Sequence, residues 1–424
     1  MSDAGVSGTT PLKVLIAAHG HPQYSKGGAE IASHQLFAEL KSRPDYRAWF
    51  LGCIRDHRRQ RPGAVFSQPF GADEFLYAAG GFDWFKFANP DPLFPGEFRD
   101  LLRDLAPDVV HFNHYAVFGL EALLHVRRTL PHARIVLTLH EYLAICNHYG
   151  QMVTQRDYSL CHGSGLVRCT GCYPQLSEAD FHLRERYIKR FFALVDHFIS
   201  PSRFLAERYI DWGLPPERMS VVENLVPPPR LPPTTGRARR PGPLKVGYFG
   251  QISELKGINV LLDAADLLEA AEETGVSIDV FGDYRGQPEE FQNRFLARVA
   301  QAGRNVTVRG AYDPERVDGL MRGVDLVVVP SLWWENSPLV IEEALRNRRP
   351  VVCSDIGGMA EKVRDGLDGF HFPVGDAMAL AALLTELGAD RTELSQVAAT
   401  LRRAPDVESV VARHRAIYEG RPIP

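Results

Sequence analysis

Seven prolines fall within the segment Leu225–Leu244, LVPPPRLPPTTGRARRPGPL, near the middle of this 424-residue chain. Each proline ring fixes φ and removes a backbone donor, so neither a helix nor a central strand can run through the segment. It reads as a linker, 226–243, between an N-terminal domain, 1–225, and a C-terminal domain, 244–404. Both flanks are long enough for their own cores. The last apolar run, Val407–Tyr418, lies in a terminal piece, 405–424, read as a helix that crosses back to the first domain.

Each half opens in the same way. LKVLIAA, Leu12–Ala18, is a buried-type strand followed by Gly27, Gly28 and an amphipathic run with Ala32, Leu36 and Leu40 on one face. LKVGYF, Leu244–Phe249, leads to Gly250, a loop, Gly257 and a helix from Ile258. Further β-branched runs alternate with helices: Val109–Phe112, Arg134–Leu139, His197–Ser200 and Ser220–Val222, then Ser277–Phe281, Val306–Arg309, Asp325–Val329 and Pro350–Cys353. The pattern predicts an α/β chain of two doubly wound, Rossmann-like domains, each with a parallel sheet covered on both faces. Ligands are expected at the carboxyl ends of the strands, in the cleft between the domains.

Composition excludes several classes. With 45% apolar and 24% charged residues the chain is not a disordered one. A net charge of −4 gives no global attraction to nucleic acid. No apolar run reaches the ~18–20 residues of a membrane span, and Met1–Pro11 has no signal-peptide character. The expected location is cytoplasmic.

The segment SLWWENSPLVIEEALRNRRP, Ser331–Pro350, carries the strongest chemistry. Asn336 or Ser337 is placed to cap a helix whose first turn holds Pro338 and Leu339, and amides there suit an anion. Glu335 precedes that helix and Glu343 lies two turns on, where carboxylates can accept hydrogen bonds from sugar or ribose hydroxyls. Their spacing resembles the E-x7-E signature of retaining glycosyltransferases of family 4, which have the GT-B fold. RNRRPVVCSDIGGMAEKVRDGLDGFHFPVGD is similar to the block that follows in that family. GGAE, Gly27–Glu30, resembles its N-domain glycine loop, and GQISELKG, Gly250–Gly257, its G-R-x4-K-G loop. Lys256 matches that loop's lysine, while Gln251 stands where the family has arginine. Glu335-Asn336-Ser337-Pro338 replaces the common E-G-F-G.

The resemblance implies a retaining glycosyltransferase acting from a nucleotide-sugar donor on an acceptor glycan, glycolipid or small molecule. Glu335 then contacts the transferred sugar and Glu343 the ribose. Lys256, Gly27, Gly28, Gln251 and the helix start Asn336, Ser337, Pro338 and Leu339 lie at the diphosphate, with Pro338 contributing no N–H of its own. His140, ending IVLTLH, lines the sugar site, and Asn224 is a hinge. No catalytic metal is implied. Two other readings stay open: a GT-B epimerase, and a non-catalytic metal-stabilised binding module.

Four of the six cysteines crowd together as Cys146-x14-Cys161-x7-Cys169-x2-Cys172. In a cytosolic chain this spacing suits one structural zinc, with an iron–sulfur cluster as the alternative and His148 or His162 as substitute ligands. The helix that follows, Asp180–Val195, carries Leu183, Tyr187, Phe191 and Leu194 as one apolar stripe among Arg184, Arg186, Lys189 and Arg190. The stripe is expected to be core. Peripheral contact with an anionic membrane surface is the other reading.

Overall fold

The computed structural model describes residues 10–25, 27–56, 63–231, 242–272, 275–403 and 405–423. They divide into two compact units. The first comprises the described residues up to Pro201, Leu205–Leu225 and everything from Val407 on. The second comprises Ser202–Phe204 and Val226–Asp406.

The first unit is built on a sheet of strands β1 (Leu12–Ala18), β2 (Tyr46–Ile54), β3 (Phe66–Ser67), β4 (Glu74–Ala78), β5 (Val109–Phe112), β6 (Arg134–Thr138), β7 (His197–Ser200) and β8 (Met219–Val221). Their order is β3-β4-β2-β1-β5-β6-β7-β8, parallel throughout except for the short edge strand β3. Strand order reverses between β1 and β5, so the crevice of this sheet opens at their carboxyl ends. Val14, Ile16, Val109 and Val136 form the core together with Val410, Val411, Ile417 and Tyr418 of the terminal helix Val407–Tyr418. That helix is fixed by polar contacts as well. Arg43 donates to both carboxylate oxygens of Glu408, and Tyr418 Oη lies 2.8 Å from Nδ1 of the buried His111.

The second unit is a wholly parallel sheet of β9 (Leu244–Phe249), β10 (Val276–Phe281), β11 (Val306–Gly310), β12 (Leu326–Val329), β13 (Val351–Ser354) and β14 (Gly369–Phe372). The order is β11-β10-β9-β12-β13-β14, and the reversal falls between β9 and β12. Leu326, Val327 and Val328 pair with Val246, Gly247 and Tyr248, which puts the loops after Phe249 and Val329 side by side.

Three expectations change. The described start of the proline-rich linker packs with the second unit: the Arg230 amide donates to Asp318 (2.9 Å) and Arg346 donates to Pro227 O (3.1 Å). Proline keeps its carbonyl, so the segment can still be held from outside. Residues 232–241 of the linker lie outside the described residues. Strands β2, β3, β4 and β14 were not read from the sequence. Finally, the helix after the cysteines, Glu178–Phe192, buries Phe181, Arg184, Ile188, Phe191 and Phe192, while Leu183 is exposed. Its inner face is therefore rotated from the predicted stripe and contains an arginine.

Candidate functional site

At the crossover of the second sheet, Gly250 begins the loop after β9 with φ of 134°. A Cβ on Gly282, after β10, would come 2.0 Å from Gly250 O. Gly257 closes the loop with φ of 73°, and a Cβ there would lie 1.8 Å from Pro330 O. Glycine at these places lets the loops after β9, β10 and β12 touch through their backbones. The contact brings Lys256 Nζ within 2.5 Å of Glu335 Oε1.

Glu335 is buried, and Ser331 Oγ (2.8 Å) and Trp333 Nε1 (3.1 Å) also donate to Oε1. Trp333 presents its ring 5.6 Å from Lys256 Nζ. The helix Leu339–Arg346 begins just beyond, with Pro338 as its N-cap and no side-chain cap. Asn336 and Ser337 therefore do not cap it, contrary to expectation. Asn336 Oδ1 instead accepts from Ser202 Oγ (2.5 Å), and Ser337 Oγ is buried without a partner among the described residues. A helix start whose amides lack a side-chain cap, with a buried hydroxyl beside it, is chemically suited to an anion. Gly358 holds this turn from behind. Its amide donates to Glu335 O (2.7 Å), and a Cβ there would come 1.7 Å from Asn336 O.

Side by side on the same helix, two consecutive glutamates differ. Glu342 points inward to Arg402 (2.5 Å) and Lys362 (3.7 Å). Glu343 is only partly exposed, and burial pushes its carboxyl up to about 7, opposed by Arg346 and reinforced by Asp318. Such a carboxyl gains most from a ligand that donates hydrogen bonds to it. Tyr312 lies close enough to feel the charge of Glu343 and packs edge-on to Phe249 (5.8 Å). Tyr312, Trp333 and Ser331 were missed in the sequence because nothing in their spacing singles them out. Gln251 is exposed, and its carbonyl accepts from Tyr248 Oη (2.7 Å).

The first unit carries its own polar edge at the β1/β5 reversal. His19 follows β1, Asn113 and His114 follow β5, and His140 and Glu141 follow β6. His19 and His114 rings lie 4.2 Å apart, and His140 Nε2 lies 3.3 Å from Asn113 Oδ1. Burial, helped by His114, pushes His140 down to about 3, and burial likewise pushes His19 well down. These two rings are neutral hydrogen-bonding groups at ordinary pH. Glu141 is already engaged: it accepts from the Leu143 amide and lies 3.3 Å from His114 Nε2. Gly27 caps the helix Gly28–Lys41, but the buried Glu30 folds against it: a Cβ on Gly27 would come 2.3 Å from Glu30 Oε2. A phosphate reaching the Gly27 and Gly28 amides has to meet or displace that carboxylate.

Cys146, Cys161, Cys169 and Cys172 are free, partly buried thiols that line one cavity with Phe181 and Tyr173. Their sulfurs are not closed around a point. Among the described residues the one trio of His, Cys, Asp or Glu ligand atoms mutually within 4.8 Å is His21, His34 and Glu74. That trio is a hydrogen-bonded knot. The Gln23 amide donates to His21 Nδ1 (3.2 Å), so His21 Nε2 keeps its proton and donates to Glu74 Oε2 (3.2 Å), with His34 Nε2 3.0 Å from the same oxygen.

The fold and its two crossover edges define the GT-B class of α/β proteins. Residues 26–230 match the family model described as Glycosyltransferase Family 4, and residues 236–403 the one described as Glycosyl transferases group 1. Each half is thus similar to a glycosyltransferase family model, the two in chain order. The lipopolysaccharide 1,2-N-acetylglucosaminetransferase of Salmonella typhimurium is 32% identical over 29% of this chain and 33% of its own. The D-inositol 3-phosphate glycosyltransferase of Nocardia farcinica is 30% identical over 47% of this chain and 48% of its own. The chain thus matches a third to a half of the length of these curated relatives. Among solved structures, Anabaena Alr3699/HepE in complex with UDP and glucose superposes with a TM-score of 0.66 at 19% identity, covering 96% of this chain and all of that one.

Proposed function

We propose that this chain transfers a sugar from a nucleotide-diphosphate sugar to an acceptor hydroxyl with retention of anomeric configuration, in polysaccharide, glycolipid or glycoconjugate assembly. The observation that carries the reading is the Lys256–Glu335 pair at the β9/β12 crossover, next to the uncapped helix start and Glu343. Bond cleavage leaves negative charge on the diphosphate, and Lys256 with the amides of Asn336, Ser337 and Leu339 is the preorganised positive environment that such a leaving group needs. Glu335 is assigned to the transferred sugar and Glu343 to the ribose hydroxyls. The departing phosphate takes the acceptor proton, so no side chain has to be a strong base. A neutral His140 suits hydrogen bonding to the sugar. These groups are all protein atoms, and no catalytic metal is invoked. The UDP and glucose held by HepE support a donor of this kind.

We assign the reaction to the cytoplasm, at the inner membrane surface. The free thiols support a reducing compartment. Tyr149, Tyr158, Leu166, Val167 and Leu183 are exposed around the cysteine segment, and Leu183, Arg186 and Arg190 share one helix face at i, i+3 and i+7, as a lipid-facing basic surface requires. No described helix is long and apolar enough to cross a membrane.

The test is a panel of nucleotide sugars read by thermal unfolding and calorimetry. It is followed by product analysis of the anomeric configuration. One donor is expected to raise the melting temperature by linkage and to be consumed with retention. Failure of every nucleotide sugar and free nucleotide to bind would refute the reading.

A further inference from the structure

Arg184 is an arginine in an unusual place. It lies on the inner face of the helix Glu178–Phe192 and is 5% exposed. All three of its hydrogen bonds go to main-chain carbonyls: Nε to Phe85 O (2.9 Å), Nη1 to Ala144 O (2.9 Å) and Nη2 to Leu143 O (2.6 Å). Its guanidinium stands 5.1 Å from the Phe87 ring centre. Among the described residues no carboxylate forms an ion pair with it. The acidic groups that act on it most strongly are the phenols of Tyr115 and Tyr209 and the thiols of Cys146 and Cys169. A buried cation without a counter-charge is costly, and neutral phenols and thiols cannot supply one.

The cysteines show a matching need. Four soft donors line one cavity whose remaining wall is largely apolar, including Ile145, Met152 and Phe181. Backbone amides already point at two of the sulfurs: those of His148 and Met152 at Cys146, and that of Gly165 at Cys169 (3.4 Å). Four thiolates around one divalent ion carry a net charge of about −2. Arg168 lines the cavity from its exposed side, and Arg184 is a buried positive charge within electrostatic reach of Cys146 and Cys169, on an element that itself contributes Phe181 to the cavity. Its grip on Leu143 and Ala144 fixes the main chain three and two residues before Cys146, and two and three residues after Glu141.

We propose that Cys146, Cys161, Cys169 and Cys172 hold one zinc ion as a closed, structural tetrathiolate site, and that Arg184 is its buried counter-cation and the positioning residue that ties it to the carboxyl end of β6. Closing the site requires the four side chains to turn toward a common point, since their sulfurs stand further apart here than a tetrahedron allows. The proposal does not depend on the donor site, which lies on the other unit. Donor binding and metal content can fail separately.

The full chain, purified without a metal-affinity step, is expected to contain about one zinc per molecule by elemental analysis. Exchange into cobalt should give the visible spectrum of tetrahedral thiolate ligation. Cys169→Ser should abolish both signals, whereas His148→Ala should keep them. Arg184→Gln should lose zinc to a competing chelator on the order of 10- to 100-fold more readily, and Arg184→Lys less so, because charge is retained. Four titratable thiols with no metal would overturn the site, as would iron with cluster absorbance. Retention of zinc by Arg184→Gln equal to the unaltered chain would overturn the role of Arg184.

Discussion

Replacing Glu343 by glutamine separates what this carboxyl does for folding from what it does for binding. Burial raises it from an ordinary 4.5 to about 7. Between those values the folded chain holds a proton that the unfolded chain has released, so stability falls as pH rises through the window and the full cost is present above about 7. The interval, 7 − 4.5 = 2.5, corresponds to roughly 3 kcal/mol at 1.36 kcal/mol per pH decade. Glu343 is partly solvent-exposed, which screens the charge, and about 1–2 kcal/mol is the expected size. Glu343→Gln is isosteric and never charged. At pH 8 it should therefore raise the melting temperature of the second unit by roughly 3–6 °C, and at pH 4 by almost nothing. The same change should weaken nucleotide-sugar binding by about 1–3 kcal/mol, because a charge-assisted hydrogen bond to the ribose is lost. Scanning calorimetry across pH and titration calorimetry with the donor measure the two effects. A stability gain independent of pH would refute the burial argument, and unchanged donor affinity would remove Glu343 from the site.

The closeness of the two loops at the second crossover predicts that Gly257→Ala, whose Cβ would meet Pro330 O at 1.8 Å, separates Lys256 from Glu335. Donor affinity should fall at least tenfold in a chain that still folds by circular dichroism, and wild-type affinity would show that this contact does not shape the site. Gln251→Arg should preserve or tighten donor binding, since it adds a cation to the loop that ends in Lys256. A folded variant that no longer binds nucleotide would mean that this loop does not face the diphosphate. Mild chelation of divalent ions should leave turnover intact, and a prompt loss restored by Mg²⁺ or Mn²⁺ alone would contradict a metal-free chemical step.

Much of the architecture was legible because its signals are local. The runs LKVLIAA and LKVGYF lie in parallel sheets and are buried beyond their first two residues, so apart from Lys13 and Lys245 they are apolar and stand out without any knowledge of their neighbours. The terminal helix Val407–Tyr418 was legible from its apolar run for the same reason. Strand β2, YRAWFLGCI, was harder to read because it begins with Tyr46 and an exposed Arg47, and only its partners β1 and β4 make it a strand. The inner face of Glu178–Phe192 was misread because periodicity ranks arginine as outward. Three carbonyls from distant turns decide otherwise.

The sequence by itself determined which residue types were available to the chemistry: a Glu335/Glu343 pair at helical spacing, a lysine ending a glycine loop, and four cysteines in one short stretch. These follow from short-range patterns that a one-dimensional string preserves. The tertiary structure decided how each is used. Only strand order brings the loops after β9 and β12 together, so only the fold could pair Lys256 with Glu335 across 79 residues of chain. Only packing could make Glu342 a structural ion and leave its neighbour Glu343 with a raised affinity for protons. Burial and charge are properties of a neighbourhood in space, and the chain acquires that neighbourhood when its strands are laid in order.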